Sequence, residues 1–200
     1  LSIYWEKRRL QFPSLELVWG NVLRQEDFFR SLGTYKVVAN IPYQITSPLL
    51  RLFLEDVPTP TTLTLLVQKE VAERICAQPG DLSVLGIMVQ YRAEPSYIAT
   101  VPRSVFWPSP AVDSAIIHLV VKPRSALLSP EEEQALFRLV KTGFSNRRKL
   151  LSKNVLPLLG KQRKNELATA FEHLGLSPTA RAQELSLETW FRLARAMMPV

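Results

Sequence analysis

Apolar positions in the first two thirds of the chain fall into short blocks separated by helical patterns. Residues 15–19, 35–39 and 62–67 are runs of branched, aliphatic or aromatic side chains of strand length, and each predicts a β-strand. Residues 26–32 repeat apolar side chains at helical spacing, and 5–9 also read as helix. Ser47-Pro48 reads as N-cap and first residue of a helix carrying Leu49, Leu50, Phe53 and Leu54. Residues 68–77 predict a helix that stops before Pro79-Gly80. Strands separated by helices of this size imply a parallel α/β sheet. Residues 112–121, strongly β-branched after Pro108 and Pro110, fit a last strand, either an antiparallel edge or a hairpin partner.

The pattern changes at Lys122-Pro123-Arg124, which marks a domain boundary. Beyond it no strand pattern occurs. Ser129-Pro130-Glu131-Glu132 combines a capping Ser, Pro at the first helical position and Glu132 for a capping box; Leu136, Leu139, Val140 and Phe144 follow at three-and-four spacing. Further helices are predicted over 161–174, ending at Gly175, and from the Ser186 cap to 197.

Composition narrows the classes. Of 200 residues 46% are hydrophobic and 22% charged, which supplies a sizeable core and excludes global disorder. The longest aliphatic run, residues 84–89, falls far short of the roughly 20 residues a membrane span needs. A single Cys76 excludes an internal disulfide framework and suggests a reducing compartment. With only His118 and His173 besides, no His/Cys zinc cluster is available. The net charge of +7 is uneven: residues 1–123 carry 12 Lys+Arg against 11 Asp+Glu, and residues 124–200 carry 13 against 7. A basic segment beside a neutral one suits a polyanion, most often nucleic acid, or else is a solvated basic face.

Asn40-Ile41-Pro42-Tyr43 directly follows a predicted strand, at the carboxyl edge of an α/β sheet where ligands bind. The Asn40 side-chain oxygen and the Ile41 carbonyl can accept hydrogen bonds from an exocyclic amine. Pro42 fixes the turn and adds no N–H. Tyr43 can stack on a base, worth ~1–3 kcal/mol. The plain alternative is a strand ending in an Asn turn with a buried Tyr. Asn21, after Gly20, is either a ligand acceptor or a turn residue. Arg147, Arg148 and Lys149 are either phosphate contacts or a solvated helix start. His118 and Cys76 read as packing residues.

Residues 40–50, Asn-Ile-Pro-Tyr-Gln-Ile-Thr-Ser-Pro-Leu-Leu, resemble the fourth motif of the ribosomal RNA adenine N6,N6-dimethyltransferases. Three more segments agree in order. Residues 105–115 (Val-Phe-Trp-Pro-Ser-Pro-Ala-Val-Asp-Ser-Ala) are similar to the family's Phe-x-Pro-x-Pro-x-Val-Asp-Ser motif. Residues 67–74 resemble its strand-to-helix segment, and 144–151 its Phe-Ser-x-Arg-Arg-Lys element. The resemblance implies a class I methyltransferase Rossmann-like α/β sheet, incomplete at its N-terminus, over 1–123, and a small all-α RNA-binding domain over 124–200. It implies that Asn40 and the Ile41 carbonyl hold the target adenine N6, that Pro42 stiffens the turn, and that Tyr43 and Phe106 sandwich the flipped base. Asn21 and Asn40 would touch S-adenosylmethionine, and Arg147, Arg148 and Lys149 the RNA phosphates.

The implied activity is S-adenosylmethionine-dependent N6,N6-dimethylation of two adjacent adenines near the 3′ end of small-subunit rRNA. The partner is then the pre-ribosomal small subunit, met by a monomer without metal or membrane in the cytoplasm or an organelle. Alternatives are the related large-subunit rRNA adenine methyltransferase and a non-catalytic ribosome-assembly factor. Two departures bear on this. Asn21 stands where the family has an acid. No two of the seven glycines are separated by a single residue, so the family's Gly-x-Gly cofactor loop is absent from these 200 residues, which by themselves are expected to be inactive.

Overall fold

The structure, a computed structural model, describes residues 2–198. Helices α1 (Ser2–Arg9) and α2 (Glu26–Ser31) precede strand β1 (Val37–Asn40). Helix α3 (Thr46–Arg51) widens into a π turn over Leu52–Asp56 and leads to β2 (Thr62–Gln68). Then come α4 (Lys69–Ile75), α5 (Val84–Arg92), β3 (Ala93–Val101) and β4 (Ser114–Val121). Helices α6 (Pro130–Gly143), α7 (Leu151–Leu159), α8 (Lys164–His173) and α9 (Leu187–Met197) complete the chain.

The strands form one sheet in the order β1-β2-β4-β3. β1 and β2 are parallel, whereas β4 is antiparallel to both β2 and β3. The last strand is therefore antiparallel and a hairpin partner of β3, but it lies inside the sheet rather than at its edge. Register explains the core: Leu63, Leu65 and Val67 stand opposite Leu119, Ile117 and Ala115, and all six are fully buried. The opposite face, with Thr64, Leu66 and His118, is only half-buried. On that face, at the open edge of β1, Val38 is 83% exposed.

Residues 15–19 do not form the predicted strand; they run as irregular chain ahead of the Val22–Arg24 turn. An apolar run becomes a strand only where a neighbour completes its ladder, and no described strand lies beside it. Helix α3 begins at Thr46, two residues before the expected start, and Ser47 makes no cap hydrogen bond. Strand β3 and helix α5 lie where no element was predicted, and the helix expected to open at Arg147 begins only at Leu151 as α7.

Two hydrophobic clusters organise the packing. One joins the sheet to α3, α4 and parts of α5. The other gathers α6–α9 around the fully buried Trp190 and also takes in Leu82, Ile87 and Tyr91. Helix α5 thus serves both cores, one on each side. The capping box at Ser129 forms as its sequence predicts: Ser129 Oγ accepts from the Glu132 N–H and Glu132 from the Ser129 N–H, both at 3.2 Å.

Candidate active site

The carboxyl ends of β1, β2 and β3 and the start of β4 meet at one edge of the sheet, because Gln68 and Val101 both lie opposite Ser114. Asn40 ends β1 there and is exposed. The next residue, Ile41, buries its side chain in the sheet core, and Pro42 holds φ at −57°, the value its ring imposes. Among the described residues neither the Asn40 side-chain amide nor the Ile41 carbonyl takes part in a hydrogen bond. Two acceptors therefore stand free on a turn whose backbone is anchored from beneath.

Tyr43 opens the following 3-10 turn and is half-buried. Its hydroxyl lies 2.7 Å from Oγ of the fully buried Ser114. This bond ties the turn after β1 to the start of β4, 71 residues later. Phe106, half-buried, sits in the segment between β3 and β4 at the same edge. That segment is clamped. Asp113 Oδ1 accepts from the Arg103 N–H at 2.9 Å, and the Arg103 guanidinium donates to the Ala111 carbonyl at 3.1 Å. Ser109 Oγ donates to the Arg103 carbonyl at 2.9 Å, and the Asp113 carbonyl accepts from Lys69 N–H at 3.0 Å. Neither Tyr43 nor Phe106 stacks on another ring among the described residues, and both are only half-buried.

The lone Cys76 thiol is pushed up by burial and stays protonated at neutral pH. His118 Nδ1 lies 2.9 Å from Thr64 Oγ1 on the sheet. Among the described residues no group of three His, Cys, Asp or Glu could hold a metal ion. Asn21 caps the Val22–Arg24 turn, its Oδ1 accepting from the Leu23 N–H at 3.0 Å, and Gly20 before it adopts φ +139°. That is the turn-residue role, and it occupies one of the two lone pairs an incoming ligand would use.

Arg147, Arg148 and Lys149 do not open a helix. They lie, all exposed, in the turn between α6 and α7, and none pairs with a carboxylate among the described residues. Asn154, buried on α7, shapes that turn: its Nδ2 donates to the Gly143 carbonyl at 2.6 Å and to the Asn146 carbonyl at 2.9 Å. Phe144 stacks on Trp190 at 5.9 Å and anchors the turn from within. Gly143 is required beneath it, since a Cβ there would meet the Trp190 ring at 2.5 Å. Replacing Arg147 and Arg148 with Ala is expected to weaken RNA binding. It should also flatten the slope of log affinity against log salt by about 0.7 to 0.9 per lost contact. Filter binding across several ionic strengths measures this, and an unaltered slope would leave these arginines as a solvated face.

The sheet, with parallel β1 and β2 and antiparallel β4 between β2 and β3, is an α/β fold of the class I methyltransferase type, the fold of the solved structures it resembles. The family model for ribosomal RNA adenine dimethylase matches residues 13–198, and the chain belongs to that family. Ribosomal RNA small subunit methyltransferase A of Synechocystis sp. is 42% identical over 179 residues, covering 86% of this chain and 61% of the relative. The protein of that name from Geobacillus thermodenitrificans is 36% identical over 205 residues, covering 100% of this chain and 69% of the relative. Among solved structures, the 23S rRNA methyltransferase ErmE superposes with a TM-score of 0.76 at 26% identity, over 98% of this chain and 77% of that one. A dimethyladenosine transferase from Plasmodium falciparum gives 0.75 at 28% identity, over 94% and 74%. The chain spans about three fifths of the length of the first relatives it matches.

Proposed function

We propose that the complete protein dimethylates N6 of two adjacent adenines near the 3′ end of small-subunit rRNA, with S-adenosylmethionine as methyl donor. The observation that carries this is the pair of free acceptors, Asn40 Oδ1 and the Ile41 carbonyl, on an anchored turn beside Tyr43. An exocyclic amine has two N–H groups, and two fixed acceptors orient it with its lone pair turned away from both. Tyr43 and Phe106 hold the ring faces of a base withdrawn from its stack. Orientation then contributes most of the rate and no protein base is needed, since the alkylated amine sheds its proton to water. The cofactor supplies the methyl group. Residues 1–200 fit only part of its site, because they contain no glycine loop and Asn21 replaces an acid.

In this reading residues 124–200 form an RNA-binding domain, with α5 shared between the two cores. A monomer working in the reducing cytoplasm completes it. The names of the curated relatives favour the small subunit, while the ErmE likeness keeps the large subunit as a second reading. The test incubates the complete protein and S-adenosylmethionine with hairpins from each rRNA and reads methylated nucleosides by mass spectrometry. Dimethyladenosine in the small-subunit hairpin is expected, and none is expected from residues 1–200 alone. Modification of the large-subunit hairpin only would favour the second reading. Tight binding without transfer would favour a non-catalytic assembly factor.

A further inference from the structure

Trp107 is 99% exposed, and its neighbour Val105 is 67% exposed. An exposed indole presents a wide flat π-face, which suits stacking on a nucleobase. The clamp formed by Asp113, Arg103 and Ser109 holds the segment around it, so the ring is displayed rather than loosely attached. Phe106 has extended backbone, φ −103° and ψ 147°. Consecutive side chains on extended chain point to opposite sides, so Trp107 cannot share the base that Phe106 covers. Adjacent Cα atoms lie about 3.8 Å apart, which keeps the second ring within reach of the next nucleotide of the same strand.

We infer that Trp107 is a stacking platform for the unpaired nucleotide flanking the target adenine. The inference rests on the function proposed above and adds a second base-binding position to it. The occupant is a nucleobase rather than a protein side chain because the ring is adjacent in the chain to Phe106 at the candidate base site, so a base held there brings its neighbour to Trp107. Stacking of one base holds the RNA in register while its neighbour is withdrawn, so Trp107 acts on binding and positioning and touches no reacting atom.

The test uses the complete protein and a synthetic hairpin from the 3′ end of small-subunit rRNA, with affinity read by fluorescence anisotropy. Trp107→Ala is expected to weaken binding by about 5- to 150-fold, the stacking contribution of one base. Trp107→Phe retains most of the affinity, and neither variant alters the salt slope, since no phosphate contact is lost. In hairpins with an abasic residue next to the target adenine, wild type and Trp107→Ala bind alike. Unchanged affinity of Trp107→Ala, in a protein that still methylates the hairpin, overturns the stacking platform and leaves the function standing. A loss that persists with every flanking abasic substitution also overturns it. A wild-type protein that neither binds nor methylates the hairpin overturns the function and this inference together.

Discussion

In the complete protein, Tyr43→Ala and Phe106→Ala are each expected to lower methyl transfer to rRNA by about 5- to 150-fold while leaving affinity for S-adenosylmethionine nearly unchanged. Each substitution removes one stacking face, worth ~1–3 kcal/mol, and tenfold in rate corresponds to about 1.36 kcal/mol. The effect is largest if the faces act on the withdrawn base in the transition state. The two positions then behave as one unit, so the double variant loses less than the product of the single losses. Tyr43→Phe separates the ring from its anchor. It keeps the stacking face but leaves the Ser114 hydroxyl buried without its partner at 2.7 Å, which costs ~1–3 kcal/mol of stability. A lower melting temperature with nearly intact turnover is expected for Tyr43→Phe, and the reverse for Phe106→Ala. Steady-state kinetics beside calorimetric cofactor titration measure both. Normal turnover in both alanine variants would mean that the base is held elsewhere.

Such contrasts follow from what a one-dimensional sequence can carry. Asn40, Ile41, Pro42 and Tyr43 were legible because they are contiguous and follow a strand whose apolar run is unmistakable. Ser114 and the Asp113–Arg103 clamp were not, since a hydroxyl becomes an anchor only when the fold brings residues 71 positions apart to one edge. Strands β1, β2 and β4 follow from branched runs. β3 is hidden because it carries Glu94, Pro95 and Ser96 and stays largely exposed along an edge, with an irregularity between Tyr97 and Ala99. The run at 15–19 failed in the opposite sense: its residues favour a strand, and no partner stands beside it among the described residues. The segment holding Arg147 reads in sequence as a helix start because nothing local shows that Asn154, one turn into α7, captures the Gly143 and Asn146 carbonyls. An Asn among the apolar positions of an amphipathic helix was the one available signal.

The junction between the two cores is where the largest loss of stability is expected. Arg92, at the end of α5, has a side chain only 5% exposed; it pairs with Glu55 at 3.3 Å and with Glu133 on α6. Its guanidinium lies 5.0 Å from the centre of the Tyr91 ring and 4.9 Å from that of Phe137. The Tyr91 hydroxyl donates to Glu133 at 3.2 Å and accepts from the Leu128 N–H at 3.0 Å. Glu133→Leu leaves a buried cation with one carboxylate instead of two. Breaking a buried pair costs ~3–5 kcal/mol, and the surviving Glu55 places this case at the lower end, about 3 kcal/mol. For a chain of this size that lowers the melting temperature by roughly 6–12 °C. Adding Arg92→Met to Glu133→Leu is expected to recover most of the loss, because apolar packing replaces a charge that no longer needs a partner. Tyr91 reports on the same cluster. Burial first, and then the negative charge of Glu133 and its hydrogen bond, push its hydroxyl up to about 12 from the ordinary 10.0. The native state therefore holds that proton more tightly than the unfolded chain, so its stabilising contribution is complete below pH 10 and disappears as pH rises from 10 to about 12. In Glu133→Leu two of those causes are gone, and the tyrosine should ionise at lower pH in an ultraviolet titration. A melting temperature within a degree or two of wild type would show that Glu55 alone suffices to hold Arg92 and that the junction is not the keystone its geometry indicates.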